Sequence, residues 1–374
     1  MKKQFSWIRD ALKEAERIDK YDPGESAESL ANRLGFKSED ILRLNANENF
    51  FVPLSLLKAL LREVLEEVDP RTYPQDERPV LSDALGRFLK IPAEQIIIGA
   101  GGDQLIELVS HAFLKRGDEV LSIKPTFSIY GRATEAAGAT YRTVSLKENF
   151  SLDIENLLSS VSDRCKMVFL CSPNNPTGNQ FSLADLKGIL QEFGGLVIVD
   201  EAYVDFASYS LADFTEKSEN LVLLRTFSKA FGLAGLRIGY AIASPEVATV
   251  LNERFQMPYP ASLLAIKLCL KLLDRIRIVE EGIEEVKNER RRLLKRLNIV
   301  EGVRAFDSEA NFVLAGLERS SDEVYNDLLS RGIVVRNIGS ILNTKNCLRI
   351  TVAPRPMTNR FLNAFEEVLS NEPC

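Results

Sequence analysis

The organisation of this chain is decided by residues 225–237, RTFSKAFGLAGLR, which lie between the apolar runs 221–224 and 238–243. Apolar runs of this length are typical of buried strands. Lys229 is therefore predicted in a loop between two buried strands, where loss of hydration disfavours the ammonium and lowers the lysine pKa. A neutral amine is what Schiff-base chemistry requires. Most lysines in loops are simply exposed, so this interpretation depends on three stretches upstream.

Each of these upstream stretches joins an apolar run, which predicts a strand, to polar or small residues. Residues 196–200, LVIVD, indicate a central parallel strand with the carboxylate of Asp200 at its C-terminal end, where open α/β sheets bind ligands. Residues 171–178, CSPNNPTG, follow the run 167–170 and form a stiff turn that can hold an amide. Residues 96–104, IIIGAGGDQ, lead through glycines into a helix whose first N–H groups can bind a phosphate. Taken alone, each also has a plain explanation, as a helix cap or an ordinary turn.

Together the four stretches place a phosphate-binding helix start, an amide, a carboxylate and a lysine at the ends of different predicted strands. Pyridoxal phosphate needs these partners for its phosphate, ring oxygen, ring nitrogen and aldehyde. On these residues the sequence resembles the fold-type I aminotransferases and, within them, the histidinol-phosphate aminotransferase family. The motifs that carry the resemblance extend over nearly the whole chain: 21–24 (YDPG), 44–49 (LNANEN), 73–74 (YP), 175–178 (NPTG), 200–203 (DEAY), 228–233 (SKAFGL), 310–312 (ANF) and 348–352 (LRITV).

The resemblance implies a pyridoxal 5'-phosphate site with a role for each matched residue. Lys229 is expected to form the Schiff base and to move the substrate proton, and Asp200 to pair with the ring nitrogen. Asn175 and Tyr203 are expected to donate to the ring oxygen, and Tyr130 to lie over the ring face. The phosphate is expected to be held by the side chains or N–H groups of Thr226, Ser228, Arg237, Gly102, Asp103 and Gln104. The family usually has glutamate at the position of Gln104, but a backbone contact would survive that difference.

The resemblance also implies substrate contacts and a homodimer. Arg349 is expected to bind the anionic group of the substrate, because a bidentate arginine suits both carboxylate and phosphate. Arg336 is a second phosphate contact or a plain surface arginine. Tyr21 and Asn47 are candidate substrate contacts, although the arm that carries Tyr21 is equally typical of a loosely packed terminus. Tyr73 is expected to reach the cofactor phosphate of a neighbouring subunit.

The leading functional prediction is transfer of the amino group of histidinol phosphate to 2-oxoglutarate, which yields imidazole acetol phosphate and glutamate in histidine biosynthesis. Two stretches differ from the family, residues 50–53 (FFVP) and 353–356 (APRP), and both are expected near the substrate. An aminotransferase for aromatic amino acids or prephenate is therefore a first alternative. A threonine-phosphate decarboxylase and a non-catalytic paralogue are further alternatives, and the intact lysine, aspartate and arginine argue against the latter.

Strands that alternate with helices between residues 76 and 250 predict an α/β protein with a mostly parallel sheet covered on both faces. A chain of 374 residues is expected to divide into more than one unit. We predict an N-terminal arm (1–50) that joins the small domain, a large cofactor-binding domain (51–255) and a smaller α+β domain (256–374).

Composition excludes several classes of function. A net charge of −6 gives no reason to expect binding to nucleic acid or an anionic membrane, and no run approaches the ~20 apolar residues of a membrane span. The single histidine, His111, argues against a histidine-based triad or a multi-histidine metal centre. Five scattered cysteines without a C-x-x-C spacing imply free thiols, no metal site and a cytoplasmic location.

Overall fold

The computed structural model describes residues 6–21 and 24–370. Asp22 and Pro23 of the predicted arm turn, and Cys374, lie outside the described residues. The α-helices are α1 (Ser6–Ala15), α2 (Ala27–Leu34), α3 (Leu54–Glu67), α4 (Glu77–Leu89), α5 (Gly102–Phe113), α6 (Ile129–Ala136), α7 (Ile154–Ser159), α8 (Leu183–Glu192), α9 (Pro245–Val250), α10 (Leu263–Leu273), α11 (Ile276–Leu297), α12 (Ser321–Ser330) and α13 (Arg355–Ser370). The strands are β1 (Leu42–Arg43), β2 (Ile96–Gly99), β3 (Glu119–Lys124), β4 (Thr140–Ser145), β5 (Cys165–Cys171), β6 (Leu196–Asp200), β7 (Leu221–Thr226), β8 (Gly239–Ala243), β9 (Val303–Ala305), β10 (Phe312–Leu317), β11 (Ile333–Val334), β12 (Arg336–Ile341) and β13 (Thr344–Thr351).

A seven-stranded sheet in the order β2-β8-β7-β6-β5-β3-β4 forms the centre of the fold. The five strands from β7 to β4 are mutually parallel, and β8 pairs antiparallel with both β7 and β2. Strands β6 and β7 are almost wholly buried, because helices cover both faces of the sheet and leave no side for polar residues. The predicted α/β class with a mostly parallel, doubly covered sheet is confirmed.

A second, antiparallel sheet in the order β12-β13-β10-β9 lies towards the C-terminus. Strand β1 of the N-terminal arm pairs with β11, through Leu42 with Ile333 and Arg43 with Val334. Helix α10, which follows the predicted boundary at residue 255, packs against α3 and α4. The division into an arm and two domains stays a prediction.

Serine caps define where several helices begin. Helices α2, α8, α9, α10 and α12 each follow a serine whose hydroxyl accepts a hydrogen bond from the third helical N–H group: Ser26, Ser182, Ser244, Ser262 and Ser320. Such a cap satisfies one of the donors that a helix start leaves unpaired, and its loss costs about 1 kcal/mol. These starts are therefore encoded locally in the sequence.

The hairpin of β12 and β13 is longer than the apolar runs of the sequence indicate. Residues 333–336 (IVVR) and 348–352 (LRITV) are typical of short strands, but β12 extends from Arg336 to Ile341 and β13 begins already at Thr344. The turn between them has Leu342 at φ 49°, a conformation that a bulky residue rarely adopts. Local composition therefore gave no turn signal, and the pairing of the two strands decides their length.

A buried ion pair joins the ends of the two central strands. The guanidinium of Arg225 on β7 donates two hydrogen bonds, of 2.8 and 3.0 Å, to Glu201, which directly follows β6. Glu201 also accepts from the backbone N–H of Leu211 at 2.7 Å. Because both charges are almost fully buried, each requires the other, and the pair holds the two strand ends in a fixed relation.

The basic run in α11 is largely structural. Arg290 is buried and donates to the carbonyl oxygens of Phe206 and Ala310 at 3.2 and 2.8 Å, and Arg292 pairs with Glu289 at 2.5 Å. The bonds of Arg290 attach the helix to the body of the protein, whereas the pair of Arg292 and Glu289 lies within the helix. Among the described residues, no helix has the length and apolarity needed to cross a membrane.

Candidate active site

A cavity of about 660 Å³ lies at the C-terminal edge of the large sheet, beside strands β12 and β13 of the second sheet. Most of the residues that the sequence predicted for the site line this cavity. They are Tyr21, Asn47, Gly102, Asp103, Asn175, Asp200, Tyr203, Thr226, Ser228, Lys229, Arg237, Arg336 and Arg349. Three predicted residues, Gln104, Tyr130 and Tyr73, do not line it. The predicted residues at the strand ends therefore lie around one common cavity. The three exceptions have separate explanations.

The amine of Lys229 lies inside this cavity. Its Nζ donates to the backbone carbonyl oxygens of Ala46 and Asn47, both at 3.2 Å, and lies 5.5 Å from the centre of the Tyr203 ring. Burial, together with the positive charge of Arg349, lowers the pKa of Lys229 to about 8. No described residue forms a salt bridge with this lysine. A substantial neutral fraction near physiological pH makes the amine a competent nucleophile and base.

Asp200 ends strand β6 with its carboxylate almost fully buried. The hydroxyl of Tyr130 donates to its Oδ2 at 2.6 Å, and the backbone N–H of Ala202 donates to its Oδ1 at 3.0 Å. Burial raises the pKa of Asp200 to about 6, and these two hydrogen bonds oppose that rise. The carboxylate is thus oriented by donors, and none of the described cationic residues forms a salt bridge with it. A cation in the cavity would be strongly favoured beside it.

Tyr130 corrects one prediction. It was expected over the face of the cofactor ring, but the side chain is wholly buried, stacks on Phe169 at 4.9 Å and donates to Asp200. The aromatic ring from this segment that does line the cavity is Phe127, which meets Tyr130 edge to face at 5.7 Å. The pattern of residues 125–130 (PTFSIY) offered two aromatics, and only the direction of each side chain decides between them.

Asn175 and Tyr203 lie at the side of the cavity nearest the second sheet. The Oδ1 of Asn175 accepts from the guanidinium of Arg349 at 2.6 Å, so its amide N–H groups are the part left for other partners. The Tyr203 hydroxyl accepts from the amide of Asn47 at 3.0 Å, and its ring meets Phe312 edge to face. Both side chains can therefore offer a proton donor to a bound molecule.

The opposite end of the cavity is built around the start of helix α5. The first backbone bond of this helix runs from the N–H of Leu105 to the carbonyl of Gly101, so the N–H groups of residues 102–104 precede it. Gly101 has φ 87°, and a Cβ at this position would lie 3.0 Å from the Arg237 guanidinium. Arg237 pairs with Asp103 at 2.9 Å. An anion at this helix start would meet N–H donors and a guanidinium.

Two further side chains line the cavity beside the start of helix α5, and a third points away from it. The hydroxyls of Thr226 and Ser228 line the cavity and bond each other at 2.9 Å. The side chain of Gln104 turns away, since its Oε1 accepts from the N–H of Ala100 and its Nε2 donates to Gln256. Any contribution of Gln104 to anion binding is therefore limited to its backbone N–H group, which does not depend on whether glutamine or glutamate stands at this position.

Arg349 dominates the end of the cavity near the second sheet. It is almost fully buried, its Nη2 donates to the carbonyl of Asn45 at 2.6 Å, and its guanidinium lies 5.2 Å from the Phe312 ring centre. None of the described acidic residues forms a salt bridge with it, and its Nε has no hydrogen-bond partner among the described atoms. A buried cation in this state is a site for an anionic ligand. Arg336 and the half-exposed Tyr21 line the same cavity.

Tyr73 lies elsewhere on the surface. Its side chain is 70% exposed and stacks on Tyr259 with ring centres 4.5 Å apart. Nearby exposed apolar side chains include Met257 and Phe255. A pair of exposed stacked tyrosines is unusual for a surface that faces only water.

The cavity fits pyridoxal phosphate on the chemistry of its lining. An amine, a buried carboxylate, two proton donors, an aromatic ring and an anion-binding helix start are the groups that its aldehyde, ring nitrogen, ring oxygen, ring face and phosphate require. The unpartnered Nε of Arg349 and Oδ1 of Asn45 are buried polar atoms that a bound molecule could satisfy. Within the described part of the chain, no cluster of three or more candidate ligands could hold a metal ion.

Comparisons with known proteins point the same way. The family model for aminotransferase class I and II matches residues 39–365. The histidinol-phosphate aminotransferase of Caldanaerobacter subterraneus subsp. tengcongensis is 35% identical over 90% of this chain and 97% of its own length. That of Methanocaldococcus jannaschii is 33% identical over 97% of this chain and 98% of its own. The crystal structure of histidinol-phosphate aminotransferase from Sinorhizobium meliloti in complex with pyridoxal-5'-phosphate is 25% identical, with a TM-score of 0.85 over 95% of this chain and 96% of that one.

We expect Lys229 to react with aldehydes at a lower pH than exposed lysines do, because only the neutral amine attacks. In cofactor-free protein treated with a small aldehyde and borohydride, adduct formation at Lys229 should reach half its maximum near pH 8. Peptide mass spectrometry measures the adduct. Exposed lysines are the internal control and should reach half their maximum at about pH 10.4. Coincident profiles for Lys229 and the exposed lysines would contradict the lowered pKa.

Asp200→Asn should stabilise the cofactor-free protein while it weakens cofactor binding. The pKa of Asp200 is raised from 3.8 to about 6, so its buried charge counts fully against folding at pH 7 and not below pH 3.8. The gain in free energy of unfolding should therefore build up between pH 3.8 and about 6 and stay constant at higher pH. Urea unfolding at pH 4 and pH 7 measures it.

Asp213→Asn, at an exposed position, is the matched control and should show no such dependence on pH. An Asp200→Asn protein that is equally or less stable than the parent at pH 7 would show that the carboxylate is not a destabilising group.

Proposed function

The chain belongs to the class I and II aminotransferases and is a pyridoxal-phosphate-dependent transaminase, and from this premise we propose that it transfers the amino group of histidinol phosphate to 2-oxoglutarate. The products are imidazole acetol phosphate and glutamate, and the reaction belongs to histidine biosynthesis. The names of its relatives, which extend over most of the chain at 33–38% identity, support this substrate.

The observation that carries the proposal is the buried guanidinium of Arg349, which has no acidic partner among the described residues. Both half-reactions then require an anion at this position: the phosphate of histidinol phosphate in one and a carboxylate of 2-oxoglutarate or glutamate in the other. Arginine suits both, because its planar fork binds either group in a bidentate manner. Arg336 lines the same cavity and is proposed as a second phosphate contact.

The proposed mechanism assigns each step to a side chain of this chain. Bound pyridoxal phosphate supplies an aldehyde for the amine and a ring that accepts electrons. Lys229 Nζ, neutral in part because of its pKa of about 8, would remove the proton from the substrate Cα and deliver it to the aldehyde carbon (C4′) of the bound coenzyme. Asp200 holds a proton at the ring nitrogen, because an ion pair in this buried position favours the protonated ring.

Binding and orientation fall to the remaining residues. Asn175 and Tyr203 donate to the ring oxygen, Phe127 covers the ring face in place of Tyr130, and Arg349 orients the substrate so that its Cα faces Lys229. The N–H groups of residues 102–104 and the side chains of Thr226, Ser228 and Arg237 hold the phosphate. The short contacts among these residues support a preorganised site.

We further propose a homodimer, in which Tyr73 reaches the cofactor phosphate of the partner subunit. The side chain of Tyr73 is exposed and does not line the cavity of its own subunit, and both observations support this arrangement. Within its own subunit, the ring stacks on Tyr259. We also propose that the enzyme works in the cytoplasm, where biosynthetic transamination and free buried cysteines are both expected.

The substrate is tested by paired half-reactions. With cofactor-loaded protein, the visible band of the bound coenzyme should fall on addition of L-histidinol phosphate, and kcat/KM should exceed that for phenylalanine or tyrosine at least about tenfold. Arg336→Gln should lower kcat/KM for histidinol phosphate by about 10- to 100-fold, because a charge-assisted contact is lost. The same variant should change the value for glutamate much less.

Faster turnover of the aromatic amino acids or prephenate would favour the first alternative substrate class. Release of CO₂ would identify a decarboxylase instead. Either result would overturn the substrate proposed here.

The dimer is tested by mixing two defective subunits. Lys229→Ala and Tyr73→Ala chains, expressed together, form heterodimers in which one site keeps its own Lys229 and receives Tyr73 from the partner. A two-fold interface then restores activity towards roughly a quarter of the wild-type value, measured as transaminase turnover. Activity equal to the average of the two separate variants would contradict sharing of Tyr73 between subunits.

A further inference from the structure

Residues 45–49 (NANEN), here called the NANEN segment, connect the two sheets across the cavity. On one side, Lys229 and Asn49 link it to the loop after β7: the amine of Lys229 donates to two of its carbonyls, and Asn49 Nδ2 donates to the carbonyl of Ala230 at 2.9 Å. On the other side, Arg349 of β13 donates to the carbonyl of Asn45. The segment therefore lies where both halves of the site can be influenced at once.

Asn47 is the central residue of this segment and is 2% exposed. Its backbone N–H donates to Thr351 Oγ1 at 3.0 Å, and its carbonyl accepts from Asn311 Nδ2 at 3.0 Å. Its side-chain Nδ2 donates to the Tyr203 hydroxyl at 3.0 Å, and its Oδ1 lies 3.4 Å from the Thr351 hydroxyl. One amide proton and the amide oxygen of Asn47 are thus engaged by the protein, and its direct contact with the substrate stays a prediction.

The direction of the bond to Tyr203 has a chemical consequence. A phenolic hydroxyl has one proton, and when it accepts a hydrogen bond from an amide N–H, that proton stays available for another acceptor. Among the described residues, Asn47 is the hydrogen-bond partner of the Tyr203 hydroxyl. The ring is held edge to face against Phe312 at 5.2 Å, so the hydroxyl cannot swing to a different partner without repacking.

We propose that Asn47 is a positioning residue, which acts through Tyr203 by directing the hydroxyl proton of this tyrosine into the cavity. The proton is then donated to the ring oxygen of pyridoxal phosphate. The inference rests on the proposed role of Tyr203 and is independent of the identity of the substrate. A donor at the ring oxygen stabilises its anionic form, so the cofactor loses its titrating proton at a lower pH.

Two substitutions separate this role from a merely structural one. Asn47→Asp replaces the amide donor with a carboxylate that can only accept, so the Tyr203 proton turns towards the protein and away from the cavity. Asn47→Gly removes the side chain but keeps the backbone at φ 53°, which glycine adopts freely, and keeps the carbonyls that bind Lys229 and Asn311.

The experiment follows the visible absorption band of the cofactor-loaded protein as a function of pH. Asn47→Asp should raise the midpoint of the spectral titration by about one pH unit, the effect of one lost charge-assisted hydrogen bond. Asn47→Gly should raise the midpoint by less. In this variant nothing directs the Tyr203 hydroxyl proton into the cavity, but nothing draws it towards the protein either. Thermal unfolding of each variant checks that the protein is folded.

Two controls isolate the path through Tyr203. Asn311→Ala removes the hydrogen bond to the backbone carbonyl of Asn47 and leaves the bond from the Asn47 side chain to Tyr203 in place, so the midpoint should stay close to that of wild type. In a Tyr203→Phe background, Asn47→Asp should cause no further shift, because the hydroxyl through which it acts is absent. A shift that persists in this background would come from the new carboxylate itself and would overturn the inference.

An unchanged midpoint in both Asn47 variants, beside a wild-type protein that titrates, would overturn the inference while the cofactor site stands. A wild-type protein whose band does not titrate with pH would instead overturn the proposed site, and this inference with it.

Discussion

The Lys229 amine forms no salt bridge with any residue that the structure describes, and the rest of the site depends on this constraint. Its partners are two backbone carbonyls, and a second cation, Arg349, shares the cavity. Burial and like charge both disfavour the ammonium, which lowers the pKa of this lysine to about 8. An ordinary salt bridge would have the opposite effect and make the amine unreactive. The NANEN segment holds this amine through two of its backbone carbonyls, which accept hydrogen bonds but carry no charge that would stabilise the ammonium.

The neighbouring strand ends show how differently two buried acids can be used. Glu201 is neutralised by Arg225 with two hydrogen bonds, and together they stabilise the junction of β6 and β7. One residue earlier, Asp200 is held by donors from Tyr130 and Ala202 but forms no salt bridge with a described cationic residue, and its pKa is raised to about 6. The first arrangement is structural. The second leaves an uncompensated charge that favours a positively charged ligand atom, as expected of a site that trades stability for binding.

The second sheet contributes recognition and control. Arg349 and Arg336 come from its paired strands β13 and β12, so the anion-binding end of the cavity is carried by a different element from the reactive lysine. The NANEN segment bonds to Thr351 and Arg349 on one side and to Tyr203 and Lys229 on the other. The NANEN segment therefore joins Arg349 and the catalytic groups through direct hydrogen bonds.

Apolar runs and the residues that directly follow them predicted the α/β class and placed Lys229 and Asp200 at strand ends around one site, because such signals are local. Arg349 was assigned to this site by the resemblance of residues 348–352 to a known family. Tertiary structure alone decided which of two aromatics faces the cavity, Phe127 or Tyr130, and that Asn47 serves Tyr203. It also decided the length of the β12–β13 hairpin. These outcomes depend on side-chain direction and on contacts between residues far apart in the chain, which no local pattern encodes.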